Sequence, residues 1–86
     1  MITAPQLRAA RALLGIDQAV LAERAQLSVP TIQRMEASDG LIRGNVDSLT
    51  KVVRALEDLG IELIGEGGGS SGVGRGVRLR NRHGYP

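Results

Sequence analysis

The feature that most constrains the fold is a glycine-rich run, GEGGGSSGVGRG, at residues 65–76. Glycine loses more backbone freedom on folding than any other residue, so no helix is expected to cross this run. Apolar residues recur at helical spacing before it, whereas IELI at 61–64 and VRLR at 77–80 alternate apolar and other side chains, as strands do. The chain therefore predicts a helical part followed by a hairpin with a long, flexible loop.

Helix start and stop signals predict three of the helices in the first part. Thr3-Ala-Pro-Gln6 has the pattern of a capping box with a proline in the first turn, and Gly15 is placed to end that helix at Leu14. Asp17 precedes a second short helix that runs to Arg24. A longer amphipathic helix is predicted from about residue 45 or 46 to residue 59, followed by Gly60.

The remaining helix is predicted across LSVPTIQRME, residues 27–36, although this stretch contains a proline. Amides in the first turn of a helix have no intrahelical acceptor, so Pro30 loses no hydrogen bond there. With Ser28 as the cap, its hydroxyl can accept from the Thr31 amide; the conformational bias of a residue before proline would instead make Val29 the cap. Ser28 is predicted because valine caps poorly. The side chains then left outside are Pro30, Thr31, Gln33 and Arg34.

Composition excludes several functional classes. The chain has no cysteine and only one histidine, His83, so neither a disulfide nor a metal-ligand cluster is predicted, and no cofactor is expected. Tyr85 is the only aromatic residue, which argues against binding of single strands by base stacking. The glycine-rich run lacks a Gly-Lys-Ser/Thr ending and opens no helix, so a nucleotide-binding enzyme or hydrolase is a distant alternative.

The charge pattern gives weak evidence about the partner. The sequence pI is about 9.9, but residues 1–64 carry slightly more acidic than basic side chains, and the positive excess lies in residues 65–86. A claim of nucleic-acid binding must therefore depend on individual residues. No apolar run approaches the roughly 18 residues of a membrane span, and Arg8 and Arg11 interrupt the only signal-like start. A cytoplasmic protein is expected.

Two short helices joined by a tight turn, the second with polar residues outward, suit a helix that lies in a DNA major groove. The stretch LRAARALLGIDQAVLAERAQLSVPTIQRME, with the helix after it, resembles the lambda-repressor-like, XRE/Cro-type helix-turn-helix family over about residues 3–59. The ending IELI, glycine-rich loop and GVRLR resembles small bacterial members of that family. The resemblance implies a mainly α fold, with a four-helix helix-turn-helix domain, a C-terminal two-stranded β-hairpin and double-stranded DNA as partner.

The resemblance also implies a role for individual residues. Gln18 corresponds to a phosphate contact, with a solvated surface glutamine as the alternative. Arg34 is expected to bind guanine through two hydrogen bonds, and Gln33 to bind adenine. Val29 and Pro30 either contact thymine methyl groups or shape the turn. The predicted DNA-binding residues are Gln18, Ser28, Val29, Pro30, Thr31, Gln33, Arg34 and Arg43.

Three sets of charged residues carry further alternatives. Arg11 and Glu36 are expected to form an ion pair that positions the third helix without touching DNA, the alternative being two solvated charges. Arg43, in the loop after that helix, is either a phosphate contact or a plain surface arginine. The arginines at positions 75, 78, 80 and 82 either reach DNA or keep an exposed hairpin soluble.

The hairpin raises the question of oligomeric state. Two strands alone are marginal in water, so the hairpin must pack on the helices or pair with a second copy. We expect pairing, and hence a homodimer. The predicted dimerisation residues are Ile61, Leu63, Val77 and Leu79, which share one face, with Glu62 across from Arg78 or Arg80. The predicted organisation is a DNA-binding domain at 1–60, a hairpin at 61–80 and a flexible tail at 81–86.

Taken together, the predicted function is a sequence-specific regulator of transcription, a repressor or modulator without enzymatic activity, that binds an inverted repeat as a homodimer. The alternative from another class is a protein-interaction module, antitoxin-like or an adaptor, whose hairpin holds a partner.

Overall fold

The computed structural model describes residues 2–65 and 74–80. In chain order, its elements are α1 Ala4–Leu14, α2 Gln18–Ala25, α3 Val29–Glu36, α4 Val46–Asp58, β1 Ile61–Ile64 and β2 Gly76–Leu79. The predicted fold class, mainly helical with a two-stranded antiparallel hairpin at the C-terminal end, is confirmed. The predicted flexibility of residues 66–73 and of the tail at 81–86 concerns residues outside the described ones.

The helix ends form as the sequence predicts. Thr3 accepts from the Gln6 amide at 3.2 Å while the Gln6 side chain accepts from the Thr3 amide at 2.9 Å, which completes the capping box of α1. Gly15 ends α1 in the left-handed region, with φ of 69°. The side chains of Asp17 and Asn45 accept first-turn amides of α2 and α4 at 2.9 and 2.7 Å. Local side-chain chemistry thus sets where these helices begin.

Helix α3 begins with Ser28 as its cap, so Pro30 lies in the first turn. The backbone of Ser28 is extended, and its hydroxyl accepts from the Thr31 amide at 3.3 Å. This is the arrangement predicted from the sequence. Ile32 and Met35 are buried on the inner side of α3, and Leu27 packs partly buried against the same core.

The core is aliphatic and joins all four helices to the first strand. The largest fully buried side chains are Ile2, Leu7, Leu21, Ile32, Val52, Leu56 and Ile61. The sequence did not predict the burial of Ile2, or of Ile42 in what was expected to be a plain loop. An isolated bridge between Thr3 and Leu41 and a hydrogen bond from the Ile42 amide to the Ile2 carbonyl at 3.2 Å hold these segments together. The loop after α3 is therefore anchored to the start of the chain.

The hairpin places Glu62 opposite Arg78, one of the two partners considered for it, and packs on the chain's own helices. Ile61 lies opposite Leu79, and Leu63 lies opposite Val77, with this apolar face directed at the core. Strand β2 packs against α1 and strand β1 against α4. Of the two arrangements considered for the hairpin, packing on the helices is therefore present within a single chain.

Gln6 joins the hairpin to the first turn of α1. Its side chain is 5% exposed, and its Nε2 donates to the carbonyl oxygens of Ile64 and Gly76 at 3.0 and 2.9 Å. These two residues face each other at the loop end of the hairpin, where β1 ends and β2 begins. One side-chain amide therefore completes a capping box with its oxygen and clamps both strands with its nitrogen.

We predict that Gln6→Glu separates these two roles. A glutamate keeps the capping oxygen but cannot donate to the carbonyls, so the hairpin should open more easily by about 1–3 kcal/mol while α1 stays formed. Hydrogen exchange of the strand amides measures this opening. The matched control is Thr3→Ala, which removes the capping hydroxyl and should affect first-turn amides of α1 rather than the strands. Unchanged protection of the strand amides in Gln6→Glu would show that the clamp contributes nothing.

Candidate nucleic-acid interface

The outer surface of α3 carries a row of accessible polar groups. Ser28, Pro30, Gln33 and Arg34 are exposed, and Thr31 is half-buried. The residues that hold α3 to the domain lie on its other side, where Ile32 and Met35 have at most 2% exposure. The helix therefore presents one side to solvent while the opposite side is fixed in the core.

Val29 differs from its exposed neighbours. It is half-buried and packs against the core as part of the first turn of α3. Of the two roles considered for Val29, this placement favours shaping of the turn over contact with a thymine methyl group, because packing in the core restricts its reach. Pro30, one residue later, is exposed and retains both possibilities.

Glu36, at the end of α3, forms a tight ion pair with Arg11 of α1. The Arg11 Nε and Nη2 atoms lie 2.6 and 2.8 Å from the two carboxylate oxygens of Glu36, a two-point contact. Glu36 is 5% exposed, and the Arg11 side chain is 21% exposed. The pair connects the first and third helices, and its atoms lie on the inner side of α3 rather than in the exposed row.

Two further contacts to Glu36 were not predicted from the sequence. Gln18 of α2 donates its Nε2 to the Glu36 carboxylate at 2.9 Å, and Arg8 of α1 donates to the Glu36 backbone carbonyl. Arg8 precedes Arg11 by three positions, a spacing that places both side chains on one side of α1. That spacing is the signal that could have identified Arg8. Glu36 thus receives donors from both α1 and α2.

The placement of Gln18 argues against one of the two interpretations made from the sequence, the solvated surface glutamine. Its amide is half-buried and hydrogen-bonded to Glu36, so it is not a solvated surface glutamine. The amino end of α2 also already holds a carboxylate, since Asp17 accepts from the Val20 amide at 2.9 Å. That negative charge lowers the attraction of this helix end for a phosphate. Only the second Nε2 proton of Gln18 remains for a phosphate contact.

Burial and hydrogen bonding act in opposite directions on the Glu36 carboxyl. Burial alone would raise its pKa, because the charged form loses hydration. The hydrogen bonds from Arg11 and Gln18, with the positive charges of Arg11 and Arg8, more than offset this effect, and the pKa of Glu36 is held below its ordinary value of 4.5. Glu36 is therefore a carboxylate whose charge the fold stabilises.

The remaining basic candidates lie in loops and in the hairpin. Arg43 is exposed in the loop between α3 and α4. Arg78 binds Glu62 through two contacts of 3.1 Å, and the hydrogen bond from Arg78 holds the pKa of Glu62 below its ordinary value. This pairing favours a role for Arg78 in strand pairing and solubility over a role on DNA. Arg82 lies outside the described residues.

Other kinds of site receive no support from the part of the chain that the structure covers. Within residues 2–65 and 74–80, no group of three or more His, Asp or Glu side chains is arranged to hold a metal ion. No helix in these ranges is long and apolar enough to span a bilayer.

Two short helices, α2 and α3, a tight turn between them and an exposed polar row on the second define a DNA-binding helix-turn-helix protein. The family model HTH_3, described as helix-turn-helix, matches residues 7–63. Because this match covers more than half of the 86 residues, the chain belongs to this family of XRE/Cro-type DNA-binding regulators. No curated protein matches the chain significantly.

We predict a specific acid sensitivity from Glu36. Its pKa is lower in the folded than in the unfolded chain, so its ionisation contributes stability that is present above about pH 4.5 and is lost as the pH falls through the folded-state pKa. Glu36→Gln should be about 2 kcal/mol less stable at pH 7 and should lose less stability than the wild type between pH 5 and pH 2. Denaturant unfolding across this pH range measures both quantities.

The control for this prediction is Glu57→Gln, which removes one negative charge from the exposed side of α4. We expect this variant to follow the wild type. If Glu36→Gln declined with acid as steeply as the wild type, the carboxylate would not be a source of the acid sensitivity.

Proposed function

We propose that the protein is a cytoplasmic, homodimeric transcriptional repressor that reads an inverted repeat with α3 in the major groove. The observation that carries the proposal is the division of α3 into an exposed polar row and an anchored inner side. A rigid helix with polar side chains on one surface has the form needed to read base edges. The match to a family of DNA-binding regulators supports a regulatory role, and we propose no enzymatic activity.

Within this proposal the exposed row divides into base contacts and backbone contacts. Arg34 carries a guanidinium fork that matches the O6 and N7 acceptors of guanine, and Gln33 carries an amide that matches adenine. Ser28, at the amino end of α3, and Arg43, in the following loop, are assigned to phosphates. Pro30 is assigned to apolar contact with a thymine methyl group.

Gln18 is retained as a phosphate contact with a reduced role. Its Nε2 carries two protons, and the hydrogen bond to Glu36 uses one of them. The second proton can be donated to a phosphate oxygen while the first keeps Glu36 in place. In this arrangement Gln18 connects the DNA backbone to the carboxylate that positions α3.

The proposed dimer is supported by the size of the domain. Its principal extents are 34, 31 and 20 Å. In a two-fold dimer, equivalent helices are separated by twice their distance from the axis. A spacing of roughly 34 Å between successive major grooves therefore needs each α3 about 17 Å from the axis, a distance that a domain of this size can provide.

The residues proposed for dimerisation are already in contact with their own chain. Ile61 is 1% exposed within the core, and the side chains of Leu63, Val77 and Leu79 pack on that core in partly buried positions. This placement favours a contact with a second copy that does not depend mainly on these apolar side chains. These residues are available to a partner through their backbone groups instead.

The hydrogen-bond pattern indicates which backbone groups those are. The Arg80 amide donates to the Gly60 carbonyl at 2.7 Å, so the pair formed by residues 60 and 80 is a hydrogen-bonded one. Because bonded and non-bonded pairs alternate in an antiparallel ladder, the backbone groups of Ile61 and Leu63 point away from β2, and those of Val77 and Leu79 point away from β1. We propose that one of these two edges pairs with the same edge of a second copy.

The alternative function, a protein-interaction module, uses the same edges. It is favoured by a groove between the end of α4 and β1, lined by Glu57, Asp58, Ile61, Glu62, Leu63 and Arg80. An extended segment of another protein could add to β1 along this groove. The two proposals differ in whether the purified chain forms dimers and selects a DNA sequence on its own.

We predict that selection from random duplex DNA enriches an inverted repeat containing guanine at the position that Arg34 reads. Arg34→Ala should lose about 1–3 kcal/mol on the enriched site and relax the preference at that one base pair, since its two hydrogen bonds are lost. Arg34→Ala removes both the charge and the planar fork, whereas Arg34→Lys keeps the charge and removes only the fork. Arg34→Lys is therefore the matched control for the loss of charge. If Arg34→Ala instead weakened binding equally on all sequences, Arg34 would be a phosphate contact. If the wild type enriched no sequence, the proposed function itself would fail.

We predict that light scattering of the full chain gives twice its 9.1 kDa mass. Proline at an outward-pointing amide blocks edge pairing without breaking the bonds between β1 and β2. One of the variants Leu63→Pro and Val77→Pro should therefore be monomeric, whereas Leu63→Ala and Val77→Ala control for lost packing and should stay dimeric. A monomeric wild type would reject the homodimer and favour the interaction module. Dimers in both proline variants would reject edge pairing.

A further inference from the structure

We infer that Thr31 is a positioning residue, which holds the guanidinium of Arg34 at a set place above the outer surface of α3 and thereby sharpens its choice of base. This inference rests on the proposed function, because its consequence is a base preference. It gives Thr31 a different role from direct contact with DNA.

The geometry consists of a chain of side-chain contacts along the exposed row. Ser28, Thr31 and Arg34 follow one another at intervals of three, so they are neighbours on one side of the helix. The Ser28 Oγ and Thr31 Oγ1 atoms are 2.9 Å apart, and the Arg34 Nη2 donates to Thr31 Oγ1 at 3.4 Å. Thr31 is the half-buried centre of this chain, between two exposed residues.

The available donors and acceptors determine the direction of these hydrogen bonds when the protein is bound to DNA. A guanidinium only donates, so the Thr31 oxygen must be the acceptor from Arg34. A phosphate only accepts, so a phosphate at Ser28 requires the Ser28 hydroxyl to donate outward. Ser28 then accepts the Thr31 hydroxyl proton, in addition to the Thr31 amide at 3.3 Å. Each group therefore donates to the next one, from Arg34 to Thr31, from Thr31 to Ser28 and from Ser28 to the phosphate.

The contact leaves Arg34 able to read a base. A guanidinium has five N–H protons, and the bond to Thr31 uses one of them. Two more suffice for the guanine O6 and N7 acceptors. Arginine is a long side chain with many rotamers, so restraint by Thr31 reduces the conformational freedom lost when Arg34 binds the base. The same restraint disfavours alternative Arg34 positions that would reach a neighbouring base.

The test compares Thr31→Val, which has the same shape without the hydroxyl, with Thr31→Ser, which keeps the hydroxyl. The measurement is the ratio of affinities for the selected site and for the same site with the Arg34-dependent guanine replaced. We expect Thr31→Val to lower this ratio about three- to tenfold, the equivalent of one hydrogen bond, and Thr31→Ser to stay within about twofold of the wild type. Thermal unfolding of each variant controls for stability.

A second measurement separates positioning from direct contact. In an Arg34→Ala background, Thr31→Val should change the affinity ratio no further, since Thr31 acts through Arg34. An unchanged ratio in Thr31→Val alone would overturn the inference. So would an equal loss of affinity on all sequences, which would make Thr31 a phosphate contact. A wild type without any base preference would reject the proposed function and this inference with it, whereas the first two outcomes would leave the proposed function intact.

Discussion

The position of α3 depends on one buried carboxylate, Glu36. Arg11 reaches it from α1 and Gln18 from α2, so two other helices supply donors to a single residue at the end of α3. A buried charge is costly when it loses its partners, so the three helices cannot shift relative to one another without disturbing this group. Hydrophobic contacts from Ile32 and Met35 hold α3 on the domain. The polar contacts also fix the orientation of α3, because hydrogen bonds tolerate little change in angle.

Helix α1 connects this arrangement to the rest of the molecule. Arg8 in its middle and Arg11 in its last turn bind Glu36, and Gln6 in its first turn clamps the hairpin. The first residue of α1 and the residues before it pair with the loop that follows α3. The Ala4 amide donates to the Gly40 carbonyl at 2.8 Å, and the Ile42 amide donates to the Ile2 carbonyl at 3.2 Å. The loop that carries Arg43, the hairpin and α3 are therefore all attached to one helix.

Features that depend on neighbouring residues were more predictable from the sequence than contacts between distant segments. Helix caps at Thr3, Asp17 and Ser28 were predictable because each depends on a short pattern with its own physical meaning. The register of the hairpin was narrowed to two partners for Glu62, of which the structure has Arg78. Burial of Ile42 and the bond between Gln18 and Glu36 were not predictable, since they depend on how separate segments meet. The apolar face of the hairpin was also identified from alternation. Alternation shows that a face is covered and not what covers it, which is why these side chains were first assigned to a second copy.

The division of α3 into an anchored side and an exposed side has a consequence for how such a protein could change its target during evolution. Substitutions at exposed positions such as Pro30, Gln33 and Arg34 remove few contacts within the domain, so many of them should be nearly neutral for folding. Substitutions at Ile32, Met35 or Glu36 would disturb the core or the buried ion pair. New binding preferences are therefore accessible by single steps that leave the domain folded. After gene duplication, one copy could acquire a new binding preference without first gaining stability elsewhere in the domain.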